Sequence, residues 1–245
     1  PIAIITLLIA LGSNSSAMFI GLVMVVTALV GGLDLKYIIY VLLLGIVCAG
    51  LIFGVYKISD GKVFGRLELI ERRVKLALAD PLERLHAEKP GTLKFQKILD
   101  ETMQPVSAKV AVSEGGFFGK GPGNSTQRYV VSVMYEDYIF SFIVEEYGMI
   151  GALVILILYG SLLARGSIIV RNCDNHYAKT MIAGLVLLVS GQALMHILIN
   201  VDLFPLTGQT LPMISHGNSS FLAFSLVFGI LLSVSKMAQK KIEQE

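Results

Sequence analysis

The sequence predicts an all-α polytopic membrane protein with about six membrane segments, a long extracytoplasmic loop and a re-entrant loop. Three observations carry this. The 245 residues are 54% hydrophobic with a mean hydropathy of +0.72. Charged residues make up 16%, against about 25% in a soluble domain. The apolar residues are gathered into blocks near the roughly 20 residues that a helix needs to cross about 30 Å of hydrocarbon. A net charge of +2, with basic residues not interleaved among aromatic ones, excludes nucleic acid as a partner.

The blocks run over Ile2–Leu11, Ala17–Gly31, Tyr37–Tyr56, Tyr138–Ala164, Ala178–Ile199 and Ser219–Ser235. The first is cut off by Gly12-Ser13-Asn14-Ser15-Ser16 and reads as a truncated helix or half of a broken one. The chain begins at Pro1 within an apolar run, without an initiator Met, which reads as the carboxyl-terminal part of something longer. Arg165, Arg171 and Lys179 cluster in one connection, and Lys236, Lys240 and Lys241 follow the last helix. The basic-residue rule places both on the cytoplasmic side, with Lys36. The domains are then residues 1–56 with three membrane segments, 57–136 as an outer loop, 137–200 with two membrane helices, 201–218 as a re-entrant or outer loop, and 219–245 as the last helix and cytoplasmic tail.

In the outer loop, Leu67, Ile70, Val74, Leu76, Leu78, Leu82 and Leu85 alternate with charges at helical spacing, as in an amphipathic helix on the bilayer surface or a plain solvated one. Residues 202–218 mix Pro205, Gly208, Pro212 and Gly217 with apolar side chains, which suits a re-entrant loop enclosed by protein. Cys48 lies in an apolar block and Cys173 in a polar connection, so both read as free thiols. His196 and His216 lack a second ligand at metal spacing and read as hydrogen-bonding residues.

Acidic side chains near a membrane segment are expensive, and Asp137, Glu145 and Glu146 are such groups. Asp137 reads either as a functional carboxylate or as a helix-terminal one. Glu145 lies about 80° from it around a helix and Glu146 about 180°, so the three need not share a site. Glu145 and Glu146 lie too deep for capping and read as structural support, paired with Lys, Arg or backbone donors. The stretch Gly115-Gly116-Phe117-Phe118-Gly119-Lys120-Gly121-Pro122-Gly123-Asn124-Ser125-Thr126-Gln127-Arg128 lacks the Gly-Lys-Ser/Thr ending of a nucleotide loop. It reads as a turn array with Lys109, Lys120 and Arg128 presenting N–H groups and cations to an anion, or as a surface loop.

Three stretches carry a family resemblance: the glycine loop from Gly115, then Tyr135-Glu136-Asp137-Tyr138-Ile139-Phe140, then Glu145-Glu146-Tyr147-Gly148-Met149-Ile150-Gly151. A further signature is Asn200-Val201, Pro205-Leu206-Thr207-Gly208 and Leu211-Pro212-Met213-Ile214-Ser215-His216-Gly217-Asn218-Ser219-Ser220. In this order and spacing they resemble the SEDS family (shape, elongation, division and sporulation) of lipid II polymerases, the FtsW, RodA and SpoVE group. The Gly-Lys-Gly-Pro-Gly-Asn-Ser form looks closer to FtsW of the Bacteroides lineage than to RodA. Family members carry about ten membrane helices, so the resemblance implies a carboxyl-terminal portion. Departures are Ser132 for a usual Pro, Asn218 for Gly, His216 for an aromatic residue or Met, and Gly12 to Ser16 for Gln-Pro-Asp-x-Gly.

The resemblance implies glycosyl transfer between lipid-linked disaccharides at the outer face of a bacterial inner membrane, releasing undecaprenyl diphosphate. It makes Asp137 the candidate base. Lys109, Lys120, Arg128, Arg72, Arg73, Ser215, Ser219 and Ser220 become candidates for binding substrate or diphosphate, and Glu145, Glu146 and Asn200 for structural support. No cofactor follows, although a divalent cation, Mg or Mn, would suit a diphosphate. The implied partners are a class B penicillin-binding transpeptidase and other division or elongation proteins. A lipid II flippase and a non-catalytic scaffold recruiting the transpeptidase stay open as alternatives.

Overall fold

Apolar blocks of this length become helices because a backbone in hydrocarbon must satisfy its own N–H and C=O groups. The structure, a computed structural model, describes residues 14–34, 92–129, 134–204 and 208–242, with scattered positions between 5 and 45. Among them are five α-helices, a short 3-10 turn (Gln127–Tyr129) and no strand: α1 (Asn14–Val30), α2 (Leu93–Gly115), α3 (Ile139–Asn172), α4 (His176–Asn200) and α5 (Asn218–Ile242). By length and composition Ile139–Asn172, His176–Asn200 and Asn218–Lys236 can each cross a membrane, and Ser16–Val30 is a shorter apolar helix. The protein is thus a polytopic helical membrane protein. Most of the first and third apolar blocks, the stretch Leu67–Leu85, Arg72, Arg73, Cys48, Ser132 and Pro205–Thr207 lie outside the described residues.

The chain forms two units. One combines Pro1–Leu33 with Pro105–Glu245, and the other is Asp34–Gln104. In the second, Lys36 pairs with Asp34 at 2.9 Å and lies 5.2 Å from the Tyr37 ring centre. Pro105 sits inside α2, where the first unit resumes.

In the first unit α4 is central, packing on α1, α3 and α5. Helices in lipid gain no hydrophobic drive toward each other and rely on close contact over small residues. A Cβ added to Gly166 of α3 would come within 2.5 Å of Val186 on α4, and one added to Gly184 of α4 within 2.9 Å of Thr27 on α1. Ile139, Phe140, Val144, Ala152 and Ile155 of α3 form one core with Ala193 and Ile197 of α4 and Leu211 of the following loop. Ile182 and Val186 meet Leu231 and Val234 of α5 in another. The link between α3 and α4 is short. Asn175 caps α4, its side chain accepting from Tyr177 N (3.0 Å) and Ala178 N (3.3 Å). The expected connection holding Arg165 and Arg171 is therefore smaller than its sequence suggested, and both residues belong to α3. The helix carries on through Gly166, which packs against Val186, and ends only at the Asn172-Cys173-Asp174-Asn175 turn.

Helix α3 has one interruption. Gly148 takes φ 67°, ψ −160°, breaking the helix into a buried first part and residues 149–172. At 1.5 Å per residue the second part is about 36 Å long, enough to span by itself. Met149, Ile150, Leu153, Val154, Leu156, Ile157 and Leu158 on it are exposed, whereas Ile139, Phe140, Ser141, Val144, Glu145 and Glu146 before the break are buried. The two glutamates thus belong to a protein-enclosed segment.

Only glycine suits position 148: its φ is left-handed, and a Cβ there would lie 2.4 Å from Gly119 N and from Phe117 O. Gly148→Ala is expected to destabilise by at least about 2 kcal/mol. Gly160→Ala, in the same helix with nothing within 4 Å of an added Cβ, should be neutral or stabilise by up to about 1 kcal/mol. Thermal unfolding of the two detergent-solubilised variants checks this, and equal melting temperatures would contradict it.

Candidate functional site

The break at Gly148 decides where the glycine loop goes. In an unbroken helix the Glu145 carbonyl would accept from Met149 N–H. Here Met149 N donates to Gly116 O (3.0 Å), while Lys120 N donates to Glu145 O (2.9 Å) and Gly121 N to Glu146 O (3.0 Å). The loop after α2 therefore lies backbone against backbone on α3. A Cβ at Gly115 would come within 2.1 Å of Val144 O, and one at Gly119, itself at φ 78°, within 2.2 Å of Glu146 O. The glycines provide close approach, which the flexible surface-loop alternative did not foresee.

Side chains then close the seam. Glu145 is 0% exposed. Its Oε1 accepts from Lys120 Nζ (2.7 Å), Thr126 N (2.9 Å) and Thr126 Oγ1 (2.9 Å), and its Oε2 from Ser125 Oγ (2.5 Å). Glu146 accepts from Gly123 N at 3.0 Å. Lys120 also pairs with Glu114 and donates to Thr126 Oγ1 at 2.8 Å. Burial alone would lower the Lys120 pKa, but the hydrogen bonds it donates to Glu114 and Glu145 outweigh it and leave the pKa raised. The ammonium stays charged and committed to carboxylates.

Asp137 lies in the turn before α3, partly buried, and a Cβ added to Gly208 would be 3.8 Å from its Oδ2. Burial first, and the neighbouring Glu136 second, raise its pKa above the ordinary 3.8. Three contacts fix this turn. Asn200 Nδ2 donates to Asp137 O (3.1 Å), Ser215 Oγ donates to Glu136 O (2.8 Å), and His216 N donates to Tyr135 O (2.9 Å). Asn200 also serves as the cap that α3 lacks from its own sequence, its Oδ1 accepting from Ser141 N (3.0 Å) and Ser141 Oγ (2.8 Å). The adjacent Tyr138 is buried with Met134 against Ala108 and Ala111 of α2, and burial pushes its phenol pKa up.

The remaining candidates fall in different surroundings. Lys109 pairs with Asp202 at 2.6 Å, both about half exposed. Arg128 stacks 4.6 Å from the Tyr129 ring centre and donates to the Tyr129 hydroxyl at 2.5 Å. Ser215 is fully engaged, accepting from Leu211 N at 2.7 Å. Ser219 is exposed at the start of α5, and Ser220 donates to Gly217 O at 3.2 Å. A cavity of about 340 Å³ is lined by Ser215, His216, Gly217, Asn218, Phe221 and Leu222. Among the described residues no group of three or more His, Cys, Asp or Glu could hold a metal. Ser125, Thr126 and Ser141 went unnoticed as contributors because their partners lie 19 to 59 residues away.

The model of the FtsW, RodA and SpoVE family, described as cell cycle proteins, matches residues 1–240. The probable peptidoglycan glycosyltransferase FtsW of Caulobacter vibrioides is 36% identical over 145 residues, 58% of this chain and 37% of that protein. FtsW of Bacillus subtilis, under the same description, is 29% identical over 94% of this chain and 54% of its own length. The peptidoglycan glycosyltransferase MrdB of Escherichia coli K12 is 30% identical over 61% of this chain and 44% of its own. The chain thus spans between about a third and just over half of these relatives. Because the family model matches nearly the whole sequence, this chain belongs to the FtsW/RodA/SpoVE family.

Proposed function

We propose that the chain carries the catalytic part of a lipid II polymerase that makes cell-wall glycan, with Asp137 as its general base. The observation that carries this is the Asp137 turn, a carboxylate made more basic by burial and fixed through its backbone from α4 and the 208–217 loop. Support also comes from the relatives' names, which describe peptidoglycan glycosyltransferases.

The 4-hydroxyl of an acceptor GlcNAc attacks the anomeric carbon of MurNAc on the growing chain. Its proton passes to the Asp137 carboxylate as the O4–C1 bond forms. The C1–O bond to phosphate breaks, and its electron pair leaves with undecaprenyl diphosphate. A positioned base commonly contributes about 10²- to 10⁴-fold, and its efficiency rises as its pKa approaches working pH. Developing charge on the diphosphate needs cations or N–H donors. Arg128 suits this better than Lys120, whose ammonium Glu114 and Glu145 already hold. Lys109, Arg72, Arg73, Ser219 and Ser220 remain secondary candidates, while Ser215, Glu145, Glu146 and Asn200 support the site. The proposed setting is a bacterial inner membrane with the 57–136 loop outside and the carboxyl terminus in the cytoplasm. A class B penicillin-binding transpeptidase, with other division or elongation proteins, is the proposed partner.

The full-length protein, reconstituted with its transpeptidase and labelled lipid II, tests the base. Asp137→Asn at equal membrane abundance should lower glycan polymerisation at least about 100-fold, with lipid flipping unchanged. Equal polymerisation would remove Asp137 as base, and a loss of flipping would favour a transporter. In the native protein the acid limb of the rate profile should lie above pH 3.8, the ordinary carboxylate value, because the base must be ionised.

Stability gives an independent check with a defined sign. A carboxyl whose pKa is raised in the folded state contributes stability below the unfolded value, and this is lost as pH rises through the folded pKa. Once ionised, Asp137 therefore costs stability. Asp137→Asn should melt no lower than the native protein at pH 7, while being inactive. A clear drop in melting temperature would show instead that the carboxylate supports the fold.

A further inference from the structure

Among the polar side chains of helix α4, Gln192, His196 and Asn200 are spaced four residues apart and so lie on one face. Each reaches a different part of the site. Gln192 Nε2 donates to Thr210 O at 3.1 Å. His196 Nδ1 lies 2.7 Å from Gln209 O, an acceptor only, so this nitrogen carries the proton. Asn200 holds the Asp137 carbonyl and the first turn of α3. The Gln209 side chain continues the line to α1, donating to Ser16 Oγ at 3.1 Å.

His196 is 0% exposed and Asn200 1% exposed. Polar groups so deep in a membrane helix are retained only where they are paired. His196 Nδ1 pairs with loop backbone at Gln209 and Asn200 Nδ2 with the Asp137 carbonyl, groups that no regular secondary structure would satisfy, while His196 Nε2 has no partner among the described residues. Residues 208–211 thus leave Gly208 beside the Asp137 carboxylate, then meet His196 at Gln209, Gln192 at Thr210 and Ser215 at Leu211.

We propose that this stripe on α4 is a positioning device for the glycosyl-transfer site, in which His196 is the strut that sets the 208–211 segment against the Asp137 turn. The role of His196 extends the reading of Asp137 as base and rests on it, whereas the strut itself is a statement about the loop. Losing the strut frees the Gln209 carbonyl and lets the segment move relative to the carboxylate. Displacement on this scale penalises the chemical step more than substrate binding.

The test uses the full-length protein in nanodiscs with its transpeptidase. His196→Leu removes the donor, and His196→Asn keeps one, since Asn Nδ2 can take the place of His Nδ1. Amide hydrogen exchange over residues 208–216 and steady-state polymerisation of lipid II are read for both. His196→Leu should speed exchange about tenfold, as expected for loss of a buried hydrogen bond, and lower kcat about tenfold or more with little change in KM. His196→Asn should restore both. Unchanged exchange in His196→Leu overturns the strut, and so does an Asn variant as loose as the Leu variant. Faster exchange with native kcat overturns the positioning role. The exchange measurement repeated in Asp137→Asn separates the two readings: should Asp137 prove dispensable for polymerisation, the strut still stands or falls on exchange alone.

Discussion

The site depends on one carboxylate that the membrane would reject if it stood alone. Glu145 is fully enclosed, and an unpaired charge in such surroundings costs several kcal/mol. Its four close donors come from Lys120, Ser125 and Thr126, all in the loop after α2. Those donors can reach it only because Gly148 breaks α3 one turn beyond, releasing the carbonyls of Glu145 and Glu146 for Lys120 N and Gly121 N. The break, the glycines at 115 and 119, and the charge are three parts of one arrangement. Filling any of them with a larger or uncharged group leaves the others without partners.

Around this seam the polar work is divided between two helices. Helix α3 holds the glycine loop through Glu145 and Glu146, on the far side of the Asp137 turn from α4 in sequence. Helix α4 holds the 208–217 loop and the Asp137 turn through Gln192, His196 and Asn200. Asp137 is thereby fixed by its backbone while its carboxylate stays partly open and more basic than usual. Such a group costs stability once it is ionised, a compromise that fits the base proposed for this position.

The membrane helices were legible because their signal is local: apolar runs at 138–164, 178–199 and 219–235 match α3, α4 and α5 closely. The extension of α3 through Arg165 and Arg171 was less visible, since basic residues suggest a loop but do not break a helix. The glutamates could be recognised as needing partners, but which partners depended on contacts about 20 residues apart in the chain. Lys120 looked available to an anion because its sequence neighbours are glycines, and only the fold brings Glu145 to it. The glycines suggested a turn array; their use is space, set by Val144 and Glu146 backbone atoms that no local pattern reveals. His196 was read as a hydrogen-bonding residue, and its Nδ1 has that partner, although its Nε2 has none among the described residues.

Amide hydrogen exchange of Glu145→Leu against the native full-length protein tests most directly whether this carboxylate pins the loop. The account predicts that amides over residues 116–127 and Met149 lose protection by about tenfold or more, while those in the α4 core around Ile182 to Ala193 keep theirs. Unchanged protection of the loop would contradict it, and would mean that the backbone seam stands without the charge.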